Sequence, residues 1–218
     1  MKQKQITRVS LFLTTLAVAA LLSGCGTTSG YQHADKTGEG IAEFRAEIVN
    51  GKKAIDETMK GLDAIALSAT TDPRKAFEQY SKSVSNLESV AEKARKRATD
   101  MQAAGQAYFS QWEKQMAEVQ NPEIRKLAQD RKAKLQEAFG SIKKYSEPLK
   151  AQFGPWMSNL KDLQVFLGND LTIAGVDSAK GLFAKAKTAG LDVQKSMDGL
   201  IAELNTVSAA LTPAKAKE

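Results

Sequence analysis

Apolar residues recur at alternating steps of three and four along most of the chain. That is the spacing of one helix face in a heptad register. From Glu39 to Ala69 the face is Ile41, Phe44, Ile48, Ile55, Leu62, Ile65 and Ala69, with Gly51 and Thr58 at the two remaining seam positions. The next face is longer: Phe77, Tyr80, Val84, Leu87, Ala91, Ala94, Ala98, Met101, Gly105, Tyr108 and Trp112, none of them charged. No Pro interrupts it between Pro73 and Val119, which predicts a helix of 47 residues, about 70 Å long. A third stripe begins with Ile124, Leu127, Leu135, Ala138, Ile142, Tyr145 and Leu149. It continues one step out of register through Phe153, Trp156, Leu160, Leu163 and Leu167. A fourth series comprises Val176, Ala179, Phe183, Ala186, Gly190, Val193, Met197, Leu200, Leu204, Val207 and Leu211.

The junctions carry helix punctuation. Asp72-Pro73 and Asn121-Pro122 each place a capping side chain before a residue with no N–H to leave unpaired at the first helical position. Gly168-Asn169-Asp170 is a stop, and Asp170 or Thr172 can cap the last segment, which Pro213 ends. Pro148 and Gly154-Pro155 predict a kink or short break in the third segment, because each Pro removes an internal hydrogen bond. The fold class is therefore all-α, an elongated antiparallel four-helix bundle. The alternative is a three-helix, spectrin-like rod whose fourth segment packs on another chain. The first segment, 39–69, is 16 residues shorter than the second, 73–119. The Asn121-Pro122 turn should then overshoot the bundle by about 24 Å, on the side where the chain enters.

Residues 1–24 follow a different pattern. Lys2, Lys4 and Arg8 precede an almost wholly apolar run from Val9 to Leu22, 14 residues or about 21 Å of helix. This is too short for a bilayer core of about 30 Å and reads as a secretory signal. Leu22-Ser23-Gly24-Cys25 resembles the bacterial lipobox, in which the Cys thiol receives the diacylglyceryl group and cleavage precedes it. Gly26, not Asp, follows Cys25, which points to the outer membrane. The organisation expected is a signal peptide over 1–24, lipidated Cys25 with a Gly/Ser/Thr-rich tether over 25–38, a helical domain over 39–212 and a frayed tail over 213–218. His33 falls in the tether and reads as a solvated linker residue.

Composition sharpens this reading. Aromatic residues are 6%, which favours thin helical seams over a β-sandwich. One Cys and one His exclude a disulfide framework and a His- or Cys-based metal cluster. The 31 cations and 25 acids give +6, a balance that suggests an anionic partner. Three of those cations lie in 1–24 with no acid, so the remainder carries only +3. Nucleic acid is disfavoured by that balance and by compartment.

Gly38–Leu62 (GEGIAEFRAEIVNGKKAIDETMKGL) and Leu167–Val176 (LGNDLTIAGV) resemble the bacterial domain-of-unknown-function family twenty-nine fifty-nine. The resemblance implies an envelope lipoprotein of long helices and carries over no catalytic residue.

Little in the chain reads as chemistry. Asn50-Gly51-Lys52-Lys53 lacks the upstream Gly of a phosphate loop and lies inside a heptad helix. No catalytic residue, metal ligand or cofactor site is assigned, and the chain reads as a non-enzyme. Two clusters remain as candidate contact sites. Lys93, Arg95, Lys96 and Arg97 should sit level with Lys143 and Lys144 as a basic belt able to hold phosphate. Solvated helix faces are the plainer account of that belt. Tyr108, Phe109, Trp112 and Met116 crowd the Asn121 turn, either as a wider local core or as a contact surface.

The expected role is a lipid-anchored spacer, adaptor or assembly factor that works by protein–protein contact on the periplasmic side of the envelope. The alternative is a module that binds anionic membrane or envelope polymer through the belt and tip. The implied partners are the membrane through Cys25, an unidentified protein and a second copy of the chain. A Cys25→Ser variant should stay unprocessed and unlipidated. Mass spectrometry of the purified protein checks this, and a retained acyl mass would refute it.

Overall fold

The computed structural model describes residues 30–211. They form four helices: α1 (Gly30–Ser68), α2 (Arg74–Ala117), α3 (Pro122–Asn169) and α4 (Ile173–Leu211). α1 packs on α2 and α4, and α3 packs on α4 and α2, while the backbones of the diagonal pairs stay farther apart. Each helix runs antiparallel to its neighbours, as Gly40 opposite Met101 and Gly61 opposite Tyr80 show for the first pair. This is the four-helix bundle, and the three-helix rod is excluded, because α4 seats on its own chain. The expected signal peptide over 1–24, Cys25 and the expected tail over 213–218 lie outside the described residues.

The seam residues are where the heptads put them. Every α4 position of the series from Val176 to Leu211 is buried, as are Ile41, Phe44, Ile48, Ile55, Leu62, Ile65 and Ala69. Gly51 and Thr58 are buried too, and Thr58 returns its hydroxyl hydrogen to the Ala54 carbonyl at 2.8 Å. Two glycines set how closely the helices approach. A β-carbon at Gly61 would lie 3.1 Å from the Tyr80 Cα, and one at Gly190 would lie 2.8 Å from the Met59 sulfur. The Trp156 ring, also against Gly190, donates from Nε1 to the Ala186 carbonyl at 2.7 Å.

Three expectations need correction. First, α1 begins at Gly30, nine residues before Glu39, so nine of the fourteen residues of the expected tether are helix. Thr37 is fully buried there, and its hydroxyl lies 2.8 Å from the His33 carbonyl and 3.3 Å from that of Ala104 on α2. Packing on α2 outweighs the weak local propensity of a Gly- and Thr-rich run. His33 is thus a half-buried helix residue. α1 and α2 are nearly matched in length, so the 24 Å overshoot is absent; a β-carbon at Gly30 would meet Gln115, near the end of α2.

Second, α3 is one helix through both Pro148 and Pro155. The prolines and the residues four before them, Lys144 and Ala151, are all exposed, so the carbonyls they leave without a donor can bond water. The buried face also keeps one phase: Leu135, Ile142, Leu149, Trp156 and Leu163 recur every seven residues, and Tyr145 is exposed. Third, Ile124 and Leu127 are 51% and 70% exposed. Arg131 donates to the carbonyl of Ala210, so the two turns of α3 before it lie beyond the level at which α4 ends.

The helix starts follow their caps. Asn121 Oδ1 accepts from the N–H groups of Glu123 (2.8 Å) and Ile124 (3.2 Å), and Asp72 Oδ1 accepts from Arg74 N–H at 3.1 Å. An Asn121→Ala variant should lose about 1 kcal/mol in urea denaturation.

Tyr80 has no exposed surface, and its hydroxyl donates to the Leu160 carbonyl at 2.7 Å, tying α2 to α3. Burial pushes its phenol well above the ordinary value of 10. The folded state keeps that proton while the unfolded chain releases it near 10. The stability involved is therefore complete below that pH and falls as pH rises above it. Tyr80→Phe should cost about 1 kcal/mol at pH 7. It should also flatten the alkaline fall in urea midpoint relative to the parent.

Candidate functional site

The α2–α3 seam is the loosest in the bundle, and side-chain size accounts for it. On α2 the seam positions Ala91, Ala94 and Ala98 are only half-buried, whereas Leu87 and Met101 on either side are covered. On α3 Ser146, Leu149, Lys150, Phe153 and Gly154 line the gap opposite them. The alanine side chains are too short to fill the space between the two helices, so a cleft opens there.

The cleft has three adjoining compartments, of about 390, 510 and 270 Å³. Phe44 and Ile48 of α1 and Met197 and Leu200 of α4 form the floor of the first, so it reaches the bundle interior. Arg95 and Lys150 line its rim, and Lys143 and Lys150 line that of the second. No carboxylate lines either compartment. Both ends of the cleft are bridged. Phe139 stacks edge-on to Phe109 at 5.5 Å and against Gly105 at one end. Lys161 pairs with Glu88, and Tyr80 bonds Leu160, at the other.

The fold separates the six belt residues. Arg95 lines the first compartment of the cleft and Lys143 the second. Arg97 points the other way and pairs with Glu43 of α1 at 2.8 Å, and Lys96 pairs with Asp100 at 2.7 Å. Lys93 and Lys144 are exposed helix-face residues. Lys150 escaped the sequence reading, because the helix rotation that places it beside Arg95 is visible only once α2 and α3 are paired. Its one ion pair, with Glu147 at 3.3 Å, is exposed and weak.

Tyr108, Phe109 and Trp112 close the bundle near the α2–α3 turn. Tyr108 is buried, with ring centroids 5.3 Å from Phe109 and 5.7 Å from Trp112. Burial raises its phenol, and the charge of Arg131 works against that. Trp112 and Met116 are half-buried beside a hollow of about 370 Å³ that Arg125 and Lys132 also line, and the Trp112 indole N–H has no partner there among the described residues. The large apolar side chains most open to solvent at this end are Tyr31, Ile124 and Leu127. At the opposite end, by the other two turns, Leu67, Val165, Phe166 and Ile173 are exposed. No helix among the described residues is long and apolar enough to cross a membrane.

A family model described as a protein of unknown function, DUF2959, matches residues 28–211. The chain belongs to this family. The DUF2959 match spans all four helices and therefore the whole of the cleft. No curated protein and no solved structure matches the chain.

The rim cations Arg95 and Lys143 have no ion pair among the described residues, so they contribute nothing to holding the helices together. Arg95→Glu and Lys143→Glu should each change stability by less than about 0.5 kcal/mol. Arg97→Glu, which sets a carboxylate against Glu43, should lower the melting temperature. Thermal melts followed by circular dichroism separate the two outcomes.

Proposed function

We propose that the protein is a non-enzymatic, lipid-anchored spacer or adaptor of the bacterial envelope, acting by contact at the two ends of its bundle. The observation that carries this reading is that seven of the ten large exposed apolar side chains among the described residues lie at those ends. Tyr31, Ile124 and Leu127 lie by the α2–α3 turn; Leu67, Val165, Phe166 and Ile173 lie by the other two turns; Tyr145, Leu182 and Leu191 stand singly along the helix sides. Contiguous exposed apolar surface on a soluble domain marks contact sites. Only Gly26 to Ser29 separate the lipobox-like Cys25 from Gly30. Those residues span at most about 18 Å. The anchor thus sets the α2–α3 turn towards the bilayer, with Arg125 and Lys126 beside Ile124 to meet anionic headgroups. α3, with 48 residues, is about 72 Å long, which carries the opposite end well clear of the lipid.

Photo-crosslinkers placed in the full chain in cells test the two ends separately. A crosslinker at Leu127 should capture lipid, and one at Phe166 or Ile173 should capture a discrete polypeptide. Adducts no more abundant than those from the exposed mid-helix position Lys53 would overturn the adaptor reading.

A further inference from the structure

The α2–α3 cleft lies away from both ends and plays no part in that role. We propose that it is a binding site for one acyl chain of an anionic amphiphile, with the chain along the alanine-lined wall and the headgroup between Arg95 and Lys150. Three observations converge on this ligand.

The first is depth and lining. The floor is built from Phe44, Ile48, Leu149 and Leu200, with Ala94 and Ala98 as the wall. The two central compartments, about 390 and 510 Å³, lie within the range of about 300–1,000 Å³ found for ligand pockets. A natural bundle rarely leaves such an apolar gap beside its core, since unfilled seam volume forfeits packing.

The second is length. From Ala91 to Gln102 the open stretch measures about 17 Å along α2. That is close to half of a bilayer core of about 30 Å, the depth one acyl chain occupies in one leaflet. A helix laid in the groove is excluded by the same geometry. It would be about 10–12 Å across and would have to pass the Phe139–Gly105 contact or the Tyr80–Leu160 bond.

The third is charge. Arg95, Lys143 and Lys150 face the two central compartments with no carboxylate among the lining residues; Glu147, which Lys150 meets at 3.3 Å, stands outside that lining. Glu88 appears only in the third compartment, where Lys161 neutralises it. Cations at the mouth of an apolar slot fit an anionic headgroup on a hydrocarbon chain. A neutral lipid would leave them unused. Carboxylate and phosphate headgroups share this chemistry, and competition tells them apart.

The test uses the full lipidated chain in phosphatidylcholine nanodiscs and a palmitate probe with a diazirine in its chain. Photolabelled peptides are mapped by mass spectrometry. Label should fall on Ala91–Gln102 and Ser146–Gly154 and be displaced by excess palmitate or palmitoyl-lysophosphatidylglycerol. Which competitor acts at lower concentration identifies the headgroup. Palmitoylglycerol and inorganic phosphate should compete poorly. Ala98→Leu and, independently, Ser146→Leu fill the slot from opposite walls and should abolish this label. Arg95→Glu with Lys150→Glu should cut it by at least about tenfold, since a single lost charge-assisted contact already has that effect. Circular dichroism confirms that each variant remains helical, and either filling variant alone is sufficient. Label absent from the cleft, unchanged in the filled variants or insensitive to charge reversal would overturn the proposal. So would equal competition by palmitoylglycerol.

Discussion

A side chain at a heptad seam must fill the space between neighbouring helices, and its volume sets how near they come. Around this bundle that volume is distributed unevenly. α1 meets α2 and α4 closely because Gly61 and Gly190 admit Tyr80, Met59 and Trp156 against the backbone. The large side chains then interlock across the remaining gaps, with Tyr80 and Trp156 each spending its polar atom on a carbonyl of another helix. On the α2–α3 side the alanines of α2 stand opposite Ser146 and Gly154, and Leu149 and Phe153 line the gap without closing it. The cleft follows from the same packing rule that closes the other three seams.

Rigidity elsewhere keeps that cleft open. Helices free to move would close over an alanine-lined gap to recover apolar contact. Here α2 and α3 are held at both ends, by Phe109 and Phe139 near one turn and by Tyr80, Glu88, Leu160 and Lys161 towards the other. α3 remains one helix through two prolines because these fall on its exposed side, where water can serve the carbonyls they leave free. A break at that point would have let the far half of α3 swing onto Ala91 and Ala94.

The ends and the middle of the bundle therefore suit different tasks. Apolar side chains reach solvent where α3 extends past α4 and where α1, α3 and α4 turn, so the ends offer surfaces to large partners. The middle offers a slot bridged at both ends and rimmed by cations, which suits a single chain. The proposed anchor at one end would leave both kinds of surface free.

The fold was legible in the sequence because a heptad seam is a local, repetitive signal. Each residue from Val176 to Leu211 in the series declares its burial by spacing alone, and Asn121-Pro122 declares the turn by its chemistry. What spacing could not decide depended on which helix lay opposite. Thr37 reads as tether until the Ala104 carbonyl stands against it, and Ile124 and Leu127 read as core until α4 is seen to end below them. Ala91, Ala94 and Ala98 have the spacing of any other seam residues, and only the small residues across from them turn the seam into a cleft. The belt behaved likewise: proximity in sequence grouped Arg95 with Arg97, but helix rotation sent one to the cleft and the other to Glu43. Periodicity along one chain determined which face of each helix is buried. The volume of the facing residues, which only the tertiary structure reveals, decided how tightly.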